Sequence, residues 1–169
     1  MTASAHLFKP YAPAQLFSLE GKVALITGGA GGIASGLAKG FAAAGARIIL
    51  ADRDEKVMKR AEEFRNAGAD AGSLVFDVTD LAAVAKAFED ALAQFGRIDI
   101  VVNNAGIIVR KPFLELSHDD WKRVIDTDLT ACFIVAQQAA RLMVAQGSGR
   151  LALEWADAMA GSCGPGIGT

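Results

Sequence analysis

Four glycines fall within five residues, Gly28 to Gly32, directly after the apolar stretch Lys22-Val23-Ala24-Leu25-Ile26-Thr27. The stretch reads as a strand buried on both faces, as in a parallel sheet. A helix starts inside the glycine run: Ile33, Leu37, Phe41 and Ala44 recur at helical spacing, and Gly45 supplies a stop. Glycine clusters also make ordinary loops. Strand, turn and helix in this order make one specific device, a turn whose free N–H groups face a phosphate. Gly28 lets the chain leave the strand sharply. Gly31, Gly32 and Ile33 lie where the helix dipole and open amides would meet a pyrophosphate, with no side chain at Gly32 to obstruct it. Asp52 ends the next strand, about 20 residues beyond Gly32, where a carboxylate accepts both ribose hydroxyls and repels a 2′-phosphate. Arg53 beside it is the opposing signal, since an arginine can pair with that phosphate. Together these residues imply a dinucleotide site, with NAD ranked above NADP.

The rest of the chain repeats the alternation. Strands are expected at Arg47–Ala51, Ser73–Phe76 and Ile98–Asn103. Helices are expected from a cap at Asp54 to about Gly68, from Thr79 or Asp80 to Phe95 with Gly96 as terminator, and from Asp119 to about Gln146, the last in one piece or two. Strands alternating with helices of this length predict βαβ crossovers, a right-handed parallel sheet and helices on both faces. The fold class is therefore α/β, a Rossmann-type doubly wound sheet. The expected organisation is an N-terminal arm over residues 1–18, a nucleotide-binding domain over 19–149 and a residual segment over 150–169.

With 169 residues, 52% of them hydrophobic and 21% charged, one domain with a real core is expected. A net charge of −2 with no basic stripe argues against a nucleic-acid partner. No apolar run reaches the roughly 20 residues of a membrane span, and the first residues lack the apolar core of a signal peptide. Cys132 and Cys163 fit neither a zinc spacing nor a disulfide framework, so a cytoplasmic location is expected. His6 and His118 are isolated, and no metal site is expected.

Thr27-Gly28-x-x-x-Gly32-x-Ala34, together with Asn103-Asn104-Ala105-Gly106 after the fourth strand, resembles the short-chain dehydrogenase/reductase family from about Leu19 to Gly149. The resemblance implies that Asn103, Asn104, Ala105 and Gly106 brace the central sheet and lie against the cofactor ribose, and that Asp77 and Val78 contact adenine. Ala34 stands where the family usually has a third glycine. Gly106 to Phe113 and Asp120-Trp121 are similar to dehydrogenases of sugar acids and polyols, such as gluconate 5-dehydrogenases. Arg110 and Lys111 could attract a substrate carboxylate, although solvated loop cations are the better reading.

The resemblance also implies a catalytic tyrosine and lysine spaced Tyr-x-x-x-Lys, a serine, and an asparagine that holds a relay water. The sole tyrosine is Tyr11 and the last lysine is Lys122, so the pair does not occur in the chain. Asp128 occupies the asparagine position, either as a working variant or as an ordinary helix carboxylate. After Gly149, Leu151-Ala152-Leu153-Glu154-Trp155-Ala156 is similar to a later family helix, and Cys163 to Thr169 to a later Pro-Gly loop. An internal deletion near Gly149–Leu151 with a shortened C-terminus is the expectation, and a frameshift is the alternative. Strand five would then be lost and strand four left as an apolar edge. The C-terminal half of the fold is thus expected to be incomplete. Ser162 has no tyrosine near it and is not promoted to a catalytic role.

Three functions remain open at this stage. One is hydride transfer between nicotinamide and the CH–OH group of a small alcohol, sugar acid or polyol. Another is a catalytically dead module that still holds NAD. The third is a truncated product without function. The family usually assembles into homo-oligomers through the long helix and a later one, and only the first of these is present.

Overall fold

The computed structural model describes residues 16–153. Its five strands are β1 (Val23–Thr27), β2 (Arg47–Asp52), β3 (Ala71–Val75), β4 (Ile100–Asn103) and β5 (Arg150–Leu153). All pair in parallel, in the order β3-β2-β1-β4-β5. The helices are α1 (Gly32–Ala43), α2 (Lys56–Asn66), α3 (Leu81–Phe95), α4 (His118–Val124) and α5 (Ala131–Gln146). A stretch of π-type winding, Ile125–Thr130, joins α4 to α5 and accounts for a long helix in two pieces.

Alternation along each strand explains why the strands read as unbroken apolar runs. Ala24, Ile26, Ile48 and Leu50 face α1 and α2, packing with Ala34, Ala38, Val57 and Phe64. Val23, Leu25, Ile49 and Val101 face α3 and α5, packing with Val84, Phe88, Ala91, Val135 and Ala139. Each fully buried Leu or Ile contributes about 1.5–3 kcal/mol by leaving water, and both helical layers draw on the same strands.

The helix ends follow local chemistry. Asp80 caps α3 by accepting the Ala82 and Ala83 amides, and Gly96 closes the helix in the left-handed region at φ 78°. Asp54 accepts the Lys56 amide just ahead of α2. At the lower end of the sheet Asp99 is almost wholly buried and accepts the Val23 amide and the Arg97 and Lys22 side chains. Burial pushes its carboxyl up, but Arg97, the Val23 amide and Lys22 outweigh burial and hold it below the ordinary value.

Two expectations change. The buried face of α1 is Ala34, Ser35 and Ala38, whereas Ile33 is exposed. Small residues one turn apart let α1 lie close on β1, so Ala34 acts as a packing contact and Ile33 is left at the mouth of the glycine turn. The segment expected to belong to a later helix instead supplies strand five: Arg150–Leu153 runs along β4, with Val102 opposite Ala152. The unpaired edge of β4 offers a row of backbone groups that an apolar segment arriving after Gly147 can satisfy. The Arg150 amide donates to the Asp99 carbonyl at 2.8 Å, which starts the ladder. The Leu19 amide donates to the Ala44 carbonyl, which ties the segment before β1 to the end of α1. Tyr11, Ser162, Cys163 and the Glu154–Thr169 stretch lie outside the described residues.

Candidate functional site

The connections that follow β1 and β4 leave the sheet in opposite directions, so the crevice beyond their C-terminal ends is the topological switch point where ligands bind in open α/β sheets. Residues from both sides meet there. Gly28, Asp52, Arg53, Asp77, Val78, Ala105 and Gly106 line one cleft, with Phe76, Ile107 and Thr127 completing its wall.

Thr27 holds the two sides together. Its hydroxyl accepts the Asn104 amide at 3.0 Å and the Ala105 amide at 2.9 Å, while the Asn104 side-chain amide donates to the Thr27 carbonyl at 2.9 Å. Gly28 follows at φ 69°, and a Cβ there would lie 2.8 Å from the Asn104 side-chain nitrogen Nδ2. The turn therefore needs glycine for both its conformation and its neighbour. A Cβ on Gly29 would meet the Ala51 nitrogen and Leu50 Cβ at 2.9 Å. Gly29 is thus the glycine that lets the turn lie against β2, a role the spacing alone does not reveal.

Gly31 is the N-cap of α1, and its amide donates to the Gly28 carbonyl. No side chain caps this helix, and a Cβ on Gly32 would meet nothing within 4 Å. The first turn of α1, at Gly32 and exposed Ile33, therefore presents open amides at the positive end of the helix dipole. An anionic group fits this cradle.

Asp52 ends β2 at the rim. Its Oδ2 accepts the Ala30 amide and its Oδ1 the Asp54 amide, both at 3.0 Å, which fixes the carboxylate between the glycine turn and the cleft. Arg53 is exposed and reaches only Asp77, at 3.8 Å. The Thr79 amide, the Thr79 hydroxyl and Arg53 hold the Asp77 carboxyl below its ordinary value, against an opposing effect of burial. Val78 leans on the core beneath.

Asn103 is not in the cleft. It is buried, and its side-chain amide donates to the Cys132 carbonyl at 2.7 Å and to Sγ at 3.3 Å, tying β4 to α5. Asp128 stands on the π-wound stretch, and its Oδ1 accepts the Ile107 amide at 2.9 Å. Burial pushes its carboxyl up, only partly offset by that amide.

Lys111 forms an ion pair with Asp120, which also accepts the Ser117 amide and hydroxyl. Ser117 in turn accepts the Asp120 amide, a reciprocal cap at the start of α4. Lys111 is thus held in an ion pair rather than simply solvated as expected. The Ser-x-x-Asp spacing was the available sign of this cap.

The short chain dehydrogenase family model matches residues 22–153. Gluconate 5-dehydrogenase of Gluconobacter oxydans is 42% identical over 137 residues, covering 80% of this chain and 54% of that protein. The crystal structure of a gluconate 5-dehydrogenase from Burkholderia cenocepacia, in complex with NADP and tartrate, superposes with a TM-score of 0.75 at 44% identity, covering 80% of this chain and 53% of that one. An NAD+-bound xylitol dehydrogenase superposes with a TM-score of 0.74 at 34% identity, covering 78% and 52%. The chain spans about half the length of each of these proteins. With the family's pattern matched from β1 to β5, the chain belongs to the short-chain dehydrogenases.

Proposed function

We propose that this chain holds a nicotinamide dinucleotide, NAD in preference to NADP. We further propose that it represents the cofactor-binding part of an oxidoreductase acting on the CH–OH group of a sugar acid, polyol or other small alcohol. The observation that carries this reading is the meeting of Gly28, which leads into an uncapped glycine-rich helix start, with Asp52, Ala105 and Gly106 around one crevice. The amides at Gly32 and Ile33 would hold the phosphates, and Gly31, whose amide turns back to the Gly28 carbonyl, would shape the cradle around them. Asp52, anchored through the Ala30 and Asp54 amides, keeps lone pairs for the ribose hydroxyls. Asp77 and Val78 would border the adenine, and Ala105 and Gly106 the second ribose. When bound, the nicotinamide supplies the hydride acceptor or donor.

Likeness alone does not choose the cofactor, since one relative is described with NADP and another with NAD+. Asp52 disfavours a 2′-phosphate by charge. Arg53, exposed and held only by a long contact to Asp77, is the cation that would accept NADP. Titrating NADH and NADPH by fluorescence, with ADP and 2′-phospho-ADP as competitors, separates the two. Tighter NADPH binding would overturn the preference, and no binding of either would overturn the cofactor reading.

A second reading rests on the sequence itself. Tyr-x-x-x-Lys does not occur in the 169 residues, and a missing acid–base group costs about 10²–10⁴-fold in rate. The chain is then a catalytically silent module that retains the dinucleotide. Assaying sugar-acid and polyol oxidation on the same sample decides this. Nucleotide binding without turnover supports the module, turnover refutes it, and neither binding nor turnover together with a poor melting transition points to a product without function.

A further inference from the structure

One oxygen of Asp128 has no partner. Oδ1 accepts the Ile107 amide at 2.9 Å, while Oδ2 is enclosed by protein and meets no donor among the described residues. Thr127, its neighbour on the π-wound stretch, and Ile107 both line the cleft. The charged groups on surrounding elements are engaged elsewhere or do not reach it. Lys122 on α4 pairs with Asp126, and Lys111 on the loop pairs with Asp120. Arg110 on the loop, and Arg123 and His118 on α4, form no ion pair with Asp128, whose one hydrogen-bond partner among the described residues is the Ile107 amide. On the side of β4 and α5, the Asn103 amide is bonded to Cys132, and burial raises the Cys132 thiol and keeps it neutral.

An ionised carboxylate is acceptor-only, and its charge is shared by both oxygens. An enclosed oxygen without a donor leaves that charge uncompensated, which is costly in a low-dielectric setting. A neutral carboxylic acid avoids the conflict. Its carbonyl oxygen accepts and its hydroxyl donates, the same pairing that a primary amide of nearly the same shape provides.

We propose that Asp128 carries a proton on Oδ2 in the folded protein and works as an amide substitute, accepting from Ile107 through Oδ1 and presenting Oδ2–H as a donor in the cleft wall. It is a positioning residue that ties the loop after β4 to the π-wound stretch. Loss of the proton removes the donor and leaves a charge in the wall, so the folded state loses stability as pH rises even though the Ile107 amide itself favours the carboxylate. Burial acts on the carboxyl in the direction this requires.

Carboxyl-carbon NMR of the full chain, labelled at aspartate Cγ, tests the proposal. A resonance missing from Asp128→Asn is expected to titrate above the ordinary aspartate value of about 3.9. Titration of that resonance at or below the ordinary value would overturn the proposal. Assignment by through-bond correlation in the unmodified chain gives the same reading if the variant does not fold. Urea unfolding provides a second measure. Between the ordinary value and the raised one the folded chain binds the extra proton, so its midpoint should fall with rising pH relative to Asp128→Asn. Parallel pH profiles for the two proteins would contradict the proposal. Neither measurement depends on nucleotide binding.

Discussion

The Thr27 hydroxyl accepts two successive backbone amides, Asn104 and Ala105, while Asn104 returns its side-chain amide to the Thr27 carbonyl. This exchange joins the ends of β1 and β4, strands whose crossover connections diverge, and so fixes the width of the crevice between them. Thr27 is fully buried, so water cannot replace the hydroxyl. Thr27→Val keeps the shape and strands both amides. A loss of about 1–3 kcal/mol is expected for each buried donor left unsatisfied, read as a lower urea midpoint with an unchanged slope. Thr27→Ser retains the oxygen and should recover most of that loss.

The glycines of the turn separate folding from binding. Gly29→Ala places a methyl 2.9 Å from the Ala51 backbone nitrogen, which cannot move without disturbing β2. Destabilisation of about 1–3 kcal/mol is expected from such overpacking. Gly32→Ala meets open space, and alanine is the better helix former. Its melting temperature should hold or rise while NADH binding weakens by at least tenfold. Normal NADH binding by a folded Gly32→Ala chain would show that the phosphates lie elsewhere.

Acid should probe the Lys111–Asp120 tie. Hydrogen bonds from Lys111 and from the Ser117 hydroxyl and amide hold the Asp120 carboxyl down at about 2. The unfolded value is near 3.9, so the unfolded chain binds the proton first on acidification. The contribution of Asp120 is complete above that value and fades as pH falls toward about 2. Asp120→Asn should lower stability at pH 7 and show a shallower decline between pH 4 and pH 2. Melting curves recorded across that range test this, and identical acid slopes would count against the tie.

Much of this architecture is legible in sequence because both signals used are local. Val23–Thr27 and Arg47–Asp52 are apolar because each face of each strand meets a helix, and a run of that kind ending in glycines has few other uses. Asp52, Asn104 and Gly28 could be placed at one site because parallel strands bring their C-terminal ends to the same edge. What escaped detection depends on tertiary neighbours. Ile33 fits the helical period of α1, yet it is exposed because close packing selects Ala34 and Ala38. Gly29 looks interchangeable with Gly31 until β2 is placed 2.9 Å from its missing Cβ. Asn103 and Asn104 are identical in type, but alternation turns one into the sheet toward Cys132 and the other toward Thr27. The fate of Leu151–Leu153 was the hardest to read, since an apolar triplet adopts whichever partner is available, and the edge of β4 decides it.

That edge yields a directional prediction. The Arg150 amide points at β4, donating to the Asp99 carbonyl. Amides in a strand alternate in direction, so Ala152 also points at β4 and Leu151 points away, toward the open side of β5. Ala152→Pro removes a ladder donor opposite Val102 and sets a ring against the strand. It should detach β5, lower the melting temperature and increase dye binding to exposed apolar surface. Leu151→Pro removes an amide that no strand among the described residues uses, and proline is tolerated on such an edge, so its effect should be much smaller. Hydrogen exchange at the Val101 and Asn103 amides, which face β5, supplies the local reading, with faster exchange expected in Ala152→Pro than in Leu151→Pro. Equal effects of the two prolines would mean that β5 does not pair with β4 in this register.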